Sequence, residues 1–306
     1  MKTRIATASA AALSIGLLAN MPAAAEPFSF STGNPDGKLG ALSRRPSPGK
    51  IETETADDFV LTVPTVISRA TIHGLIPSGA PVSSITEVEI EIYRVFPKDS
   101  NTLRAITVPT RANSPSDVEI DAAPRDSNNT TLGFGATLES ESFTVANTVV
   151  NGIHPSPIQF TGGEGARTGE EVEIDITFTP PIFLPADRYF FRPEAQVTSG
   201  DFLYLSAPKP IPAPADLQAW IRNANLAPDW LRIGNDITGV MGGFNMTFSV
   251  AGNTIPGAGI PGRPNCHGKT VSAMAHEFGG IRNAAFSLGF SSVAALQNGI
   301  AVFCQR

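Results

Sequence analysis

Along "ITEVEIEIYRVF" apolar and polar residues alternate strictly: Val88, Ile90 and Ile92 fall on one side, Glu87, Glu89 and Glu91 on the other. Side chains of a strand point alternately to its two faces, so the stretch predicts a strand with one buried and one wet face. The alternation returns in "VEIDITF", which sends Val172, Ile174, Ile176 and Phe178 inward. It returns again in "FNMTFSV", with Phe244, Met246, Phe248 and Val250 inward. "DDFVLT", "VISRATIHGLI", "TLGFGAT", "RYFFRPEAQV" and "DFLYLSA" add further candidates, for about nine to eleven strands in all. Turn residues separate them and no strand–helix rhythm appears. The expectation is mainly β: an antiparallel two-sheet sandwich, jelly-roll-like, over residues 51–250. One helix is expected inside it, in "PADLQAWIRNA", where Leu217, Trp220, Ile221 and Ala224 share a helical face behind Asp216.

The flanks read differently. Lys2 and Arg4, a short apolar stretch from Ala10 to Ala19 and the small residues Ala23, Ala24 and Ala25 predict a cleaved export leader over 1–25. Residues 26–50 show no period and many turn residues, including "NPDG", and are expected to form an extended N-terminal arm. "AGNTIPGAGIPGRPN", residues 251–265, reads as a Gly/Pro linker. Beyond it the pattern becomes helical over 266–306. "TVSAMAHEF" stops at Gly279-Gly280, "IRNAAFSLGF" follows, and "SSVAALQNGIAVFC" starts on Ser caps with Val293, Leu296, Ile300 and Phe303 on one face.

Composition narrows the function classes. The formal charge is −6 with no clustered Lys and Arg, which argues against a nucleic-acid partner. No segment after the leader approaches a membrane span. The expected location is therefore secreted or periplasmic.

"TADDFVLT", followed far downstream by "FLPADRYFF" and "DFLYLSAPKP", resembles a β-sandwich module of secreted bacterial proteins of uncharacterised function. Asp187 stands where that module usually has Gly, and Phe190 where it usually has Trp. The tail from Cys266 to Cys304 resembles a small appendage at the C-terminus of some of these proteins. The resemblance covers most of the chain after the leader, and it implies a fold rather than an activity.

Candidate chemistry is sparse. Cys266 and Cys304 are the only cysteines, and in an exported chain they are expected to bridge and staple the tail. The rival is a zinc site of both cysteines with His267 or His276. "HEFGG" lacks the second His that a zincin helix requires. Asp57 and Asp58 offer oxygens to calcium together with Asn34 and Asp36 of the "NPDG" loop. Against this, adjacent strand residues point to opposite faces. Trp220, Trp230 and Tyr204 are candidate platforms for sugar stacking. Glu87, Glu89, Glu91, Glu173 and Asp175 supply carboxylates that a glycosidase would need, but a run of Glu on one strand face reads first as its solvated side. No catalytic constellation stands out. The leading expectation is a non-catalytic extracellular or envelope protein that binds a glycan or another envelope component. A secreted carbohydrate-active hydrolase is the alternative.

Overall fold

A computed structural model describes residues 26–104, 111–154, 156, 159–208, 216–226 and 229–305. The predicted leader lies outside these residues. The described strands are, in chain order, β1 (Pro27–Ser31), β2 (Leu39–Leu42), β3 (Thr53–Leu61), β4 (Thr65–Ile76), β5 (Ile85–Val95) and β6 (Pro115–Glu119). There follow β7 (Arg125–Asp126), β8 (Leu132–Val145), β9 (Asn147–Val149), β10 (Arg167–Leu184) and β11 (Asp187–Val197). The last are β12 (Leu203–Ala207), β13 (Trp220–Asn223), β14 (Leu231–Arg232), β15 (Asn245–Met246) and β16 (Phe248–Thr254). Three helices close the chain: α1 (Cys266–Glu277), α2 (Ile281–Ser287) and α3 (Val293–Gln305).

The strands build two packed sheets, as the alternation predicts. The larger runs β1-β16-β4-β12-β2-β9, with β10 and then β8 on the other side of β4 and β15 beside β12. The smaller runs β14-β13-β3-β11-β5-β6, with β7 beside β5. The core lies between them. Val88, Ile90 and Ile92 from β5 meet Val172, Ile174 and Ile176 from β10, all at most 2% exposed. Phe191 of one sheet stacks on Phe248 of the other at 5.0 Å, a close offset pair that adds to plain area burial.

Several boundaries differ from the sequence reading. The 26–50 arm is part of the larger sheet: β1 pairs with β16 and β2 with β12. Turn residues hide its period, yet Phe28 and Phe30 pack on the core. Gly40 tolerates the contact because a Cβ there would already lie 3.3 Å from Leu203. The expected linker likewise begins too early, since Ala251–Thr254 continue β16 along β4. Within "PADLQAWIRNA", Trp220–Asn223 form β13, an antiparallel neighbour of β3 with Trp220 opposite Ala56. Gln218 has φ +58°, which ends any helix there. Ala219 and Ile221 then fill the core on one side while Trp220 packs on the other.

The tail keeps its three helices but is not isolated. Val66 of β4 and Phe183 of β10 belong to the same cluster as Met274, Leu288, Leu296, Ile300 and Phe303. Phe183 stacks on Phe303 at 3.9 Å. Cys266 and Cys304 are bonded, with Cα atoms 5.7 Å apart, inside the range a native bridge requires.

Candidate functional site

The Glu ladder of β5 is not a solvated face. Glu87, Glu89 and Glu91 are only 16%, 14% and 13% exposed, because arginines from neighbouring elements cover them. Arg192 of β11 sits opposite Glu91 and is 1% exposed. Its guanidinium meets Glu91, lies 2.7 Å from Glu194 and 3.3 Å from Glu54. Arg222 of β13 faces Glu54 across the strand pair, donates to the Tyr93 hydroxyl at 2.8 Å and lies 4.4 Å over the Trp230 ring. Arg45, from the turn between β2 and β3, fills the triad of Glu87, Glu89 and Asp126.

Burial works against the charge on Arg192, but the carboxylates of Glu194 and Glu91 outweigh it and raise its pKa. Glu194 is pushed up to about 7 by burial, against the pull of Arg192. Burial lowers Arg222 to about 10. These carboxylates are committed to internal ion pairs. Among the described residues none of them lines the four main surface depressions, so the β5 run offers no open carboxylate pair to the hydrolase of the alternative reading.

The other sequence candidates are placed apart. Asp57 and Asp58 are both 0% exposed and point to opposite sides of β3. Asp57 accepts from the Met246 amide at 2.7 Å, and Asp58 from the Leu217 amide at 3.0 Å. Asp36 accepts from the Ser206 hydroxyl and pairs with Lys38, while Asn34 is exposed. Asp36, Asp57 and Asp58 do not bring three oxygens within 4.8 Å of one another, so the four residues do not assemble as one calcium site. Trp220, Trp230 and Tyr204 are at most 3% exposed and offer no stacking platform. Both indole nitrogens donate internally, to Leu217 and Ser116 carbonyls. Cys266 and Cys304 are consumed by their bridge, which removes them as zinc ligands. His267 and His276 lie exposed on α1. A shallow groove of about 520 Å³ beside His276 is lined by Lys269 and Glu277, but among the described residues no side-chain hydrogen bond or ion pair fixes any of these three. A site needs groups held in place.

The remaining candidate lies on the outer face of the larger sheet. β10 turns Glu171, Glu173, Asp175 and Thr177 outward there, since Val172, Ile174 and Ile176 fill the core. β4 adds Arg69, Thr71 and His73, and β16 adds Ser249. Two depressions of about 380 and 180 Å³ share Thr71 and Ser249 and form one groove. Arg69 and Asp175 line its larger part. His73, Glu173 and Asn34 line the smaller.

Four of the groove's groups are held by one another or by a neighbour. The Thr71 hydroxyl donates to Asp175 at 3.0 Å. His73 sits between two carboxylates, Nε2 3.3 Å from Glu173 and Nδ1 3.8 Å from Glu171. Burial lowers the His73 pKa, with Glu139 and Asp175 opposing. Burial raises the pKa of Glu173, helped by Asp175 and Glu139; on this face the carboxyl groups of Glu171, Glu173 and Asp175 outnumber the guanidinium of Arg69. The groove thus collects hydroxyls, carboxylates and a guanidinium from β4, β10 and β16, and an amide from the loop after β1, which suits multiple hydrogen bonds to a polar ligand. Of these residues the sequence reading named Asn34, Glu173 and Asp175. It missed Arg69, Thr71 and His73, although their alternation with Ala70 and Ile72 in "SRATIHG" carries the signal.

No family model matches the chain, and no curated protein and no solved structure matches it.

Proposed function

We propose that this is an exported, non-catalytic binding protein whose groove on β4, β10 and β16 takes a glycan or another hydroxyl-rich envelope component. The observation that carries this reading is the convergence of Asn34, Arg69, Thr71, His73, Glu173 and Asp175 on one open groove. Export is supported by the leader pattern and by the bridge between Cys266 and Cys304, a bond that persists in oxidising compartments. The "ADDF" opening and its resemblance to secreted sandwich modules point the same way. Excess carboxylates favour neutral or amine-bearing glycans and disfavour polyanions, nucleic acid included.

Glu173 and Asp175 are the one feature that favours a hydrolase. They stand two apart on one strand and so share a wall of the groove. A glycosidase acts with its two carboxyl groups flanking the scissile bond.

A glycan array probed with residues 26–306 tests the proposal. Binding to a neutral or amine-bearing glycan is expected, and Glu173→Gln with Asp175→Asn should weaken it by about tenfold or more through lost hydrogen bonds. Absence of any bound glycan, or binding untouched by the double variant, would refute the groove. Turnover of the bound glycan, abolished in Glu173→Gln, would establish the hydrolase instead.

A further inference from the structure

Adjacent residues of β3 grip both ends of one excursion of the chain. Asp58 accepts from the Leu217 amide where the excursion begins. Asp57 accepts from the Met246 amide where it ends. Between these points lie β13, β14 and a π-type turn at Ile233–Thr238, together with Trp220 and Trp230, the only tryptophans in the chain.

Like charges crowd this clasp. From β3 come Asp57 and Asp58, both 0% exposed. The start of the excursion adds Asp216, whose charge acts on both. β11 contributes Arg188, with Nε 3.6 Å from Asp58 Oδ2. β12 contributes the buried Tyr204 hydroxyl near Asp57, and the end of the excursion contributes the neutral Asn245. Two fully buried carboxylates thus lie side by side, with one partly exposed guanidinium beside Asp58. Asp57 Oδ1, the Tyr204 hydroxyl and Asn245 Oδ1 are buried without a hydrogen-bond partner. A proton on Asp57 would remove one buried charge and turn an unpartnered acceptor into a donor.

We propose that Asp57 and Asp58 form a proton-held clasp that fastens 217–246 to the sandwich and loosens it as the pair loses its protons. Burial and the neighbouring charge of Asp58 raise Asp57 well above the ordinary carboxylate range. Burial, opposed by Arg188, raises Asp58 to about 7. The sign follows from linkage. A carboxyl whose folded pKa is raised contributes fully below its unfolded value, and that contribution is lost as pH climbs through the folded value. Between about pH 4 and about pH 7 each unit should therefore raise the opening constant by up to about tenfold per linked proton.

The two tryptophans report the opening. In the wild-type chain, acrylamide quenching of their fluorescence should increase as pH rises from about 4 to about 7 while far-ultraviolet circular dichroism holds steady. Asp57→Asn with Asp58→Asn mimics the protonated pair, keeps both amide acceptors, and should hold quenching low across that range. Glu194→Gln removes the other carboxyl poised near neutrality and should leave the transition in place. Three results would overturn the clasp: flat quenching in the wild type, a transition that survives in the Asn pair, or its loss in Glu194→Gln. A double Asn variant that cannot fold would overturn it too, because the neutral pair is the state the clasp requires.

Discussion

Replacing Arg192 by Met removes the centre of the buried network while keeping most of its volume. The guanidinium is 1% exposed and is shared by Glu54, Glu91 and Glu194, with Glu89 at 3.9 Å. Without it Glu54 retains Arg222 and Glu91 retains the Tyr93 hydroxyl at 2.5 Å. Glu194, 0% exposed, loses its closest cation. Breaking a buried pair from one side typically costs about 3–5 kcal/mol, because the partner charge stays in a poor solvent. Three carboxylates share this arginine, so the upper half of that range is expected. Urea unfolding followed by circular dichroism measures it directly. The deficit must also depend on pH in a fixed direction. Deserted carboxylates have raised folded pKa values, so the variant should approach the wild type near about pH 4 and fall behind as pH rises toward about 8. A loss below about 1 kcal/mol at neutral pH, or a loss equal at both pH values, would show that the network carries no such charge dependence.

Two further outcomes follow from the packing. Ile90→Ala, at a site with 0% exposure, should cost about 2–5 kcal/mol in the same unfolding assay; a change under about half a kcal/mol would mean that side chain is not in the core. Denatured, unreduced protein should titrate with no free thiol. Cys266→Ala with Cys304→Ala, opening a bridge of sequence separation 38, should cost roughly 4 kcal/mol by the chain-entropy argument. Because Phe183 and Val66 join the tail cluster, that loss should appear in the stability of the whole protein; a tail that melts alone would contradict the shared core.

What the sequence made legible was what period two can carry. Ile90, Ile174, Ile176 and Phe248 face the core as their alternation demands. The helical tail was equally plain, since Gly279-Gly280 and the Ser caps punctuate it. β13 was not legible. Leu217, Trp220, Ile221 and Ala224 fit a helical face as well as a strand, and only the open edge of β3 decides between them. Nor was the burial of Trp220 and Trp230 readable, because a flat ring serves a core as readily as a sugar platform. The arm was hidden for a related reason: β2 contributes four buried residues, "LGAL", too short a run to show any period.

The deepest limit is visible in two near-identical stretches, "TEVEIEI" at 86–92 and "EEVEIDI" at 170–176. Both send Val and Ile to the core, and both send a row of carboxylates outward. Their fates diverge because of their neighbours. β11 sets Arg192 opposite Glu91, and Arg45 reaches over Glu87 and Glu89, so the first row is neutralised and sealed. The second row lies between β4 and β8. There Glu173 pairs with His73, held toward neutrality by burial, while Asp175 is exposed and bonded to Thr71. The same local sequence therefore yields an internal brace in one sheet and an open acidic groove in the other. Ion pairs that close a surface leave nothing for a ligand to complete. Carboxylates left facing water, fixed by a rigid strand and edged by hydroxyls, are still free to bind one. On that physical ground the search for a ligand belongs on β10 and β4, not on β5.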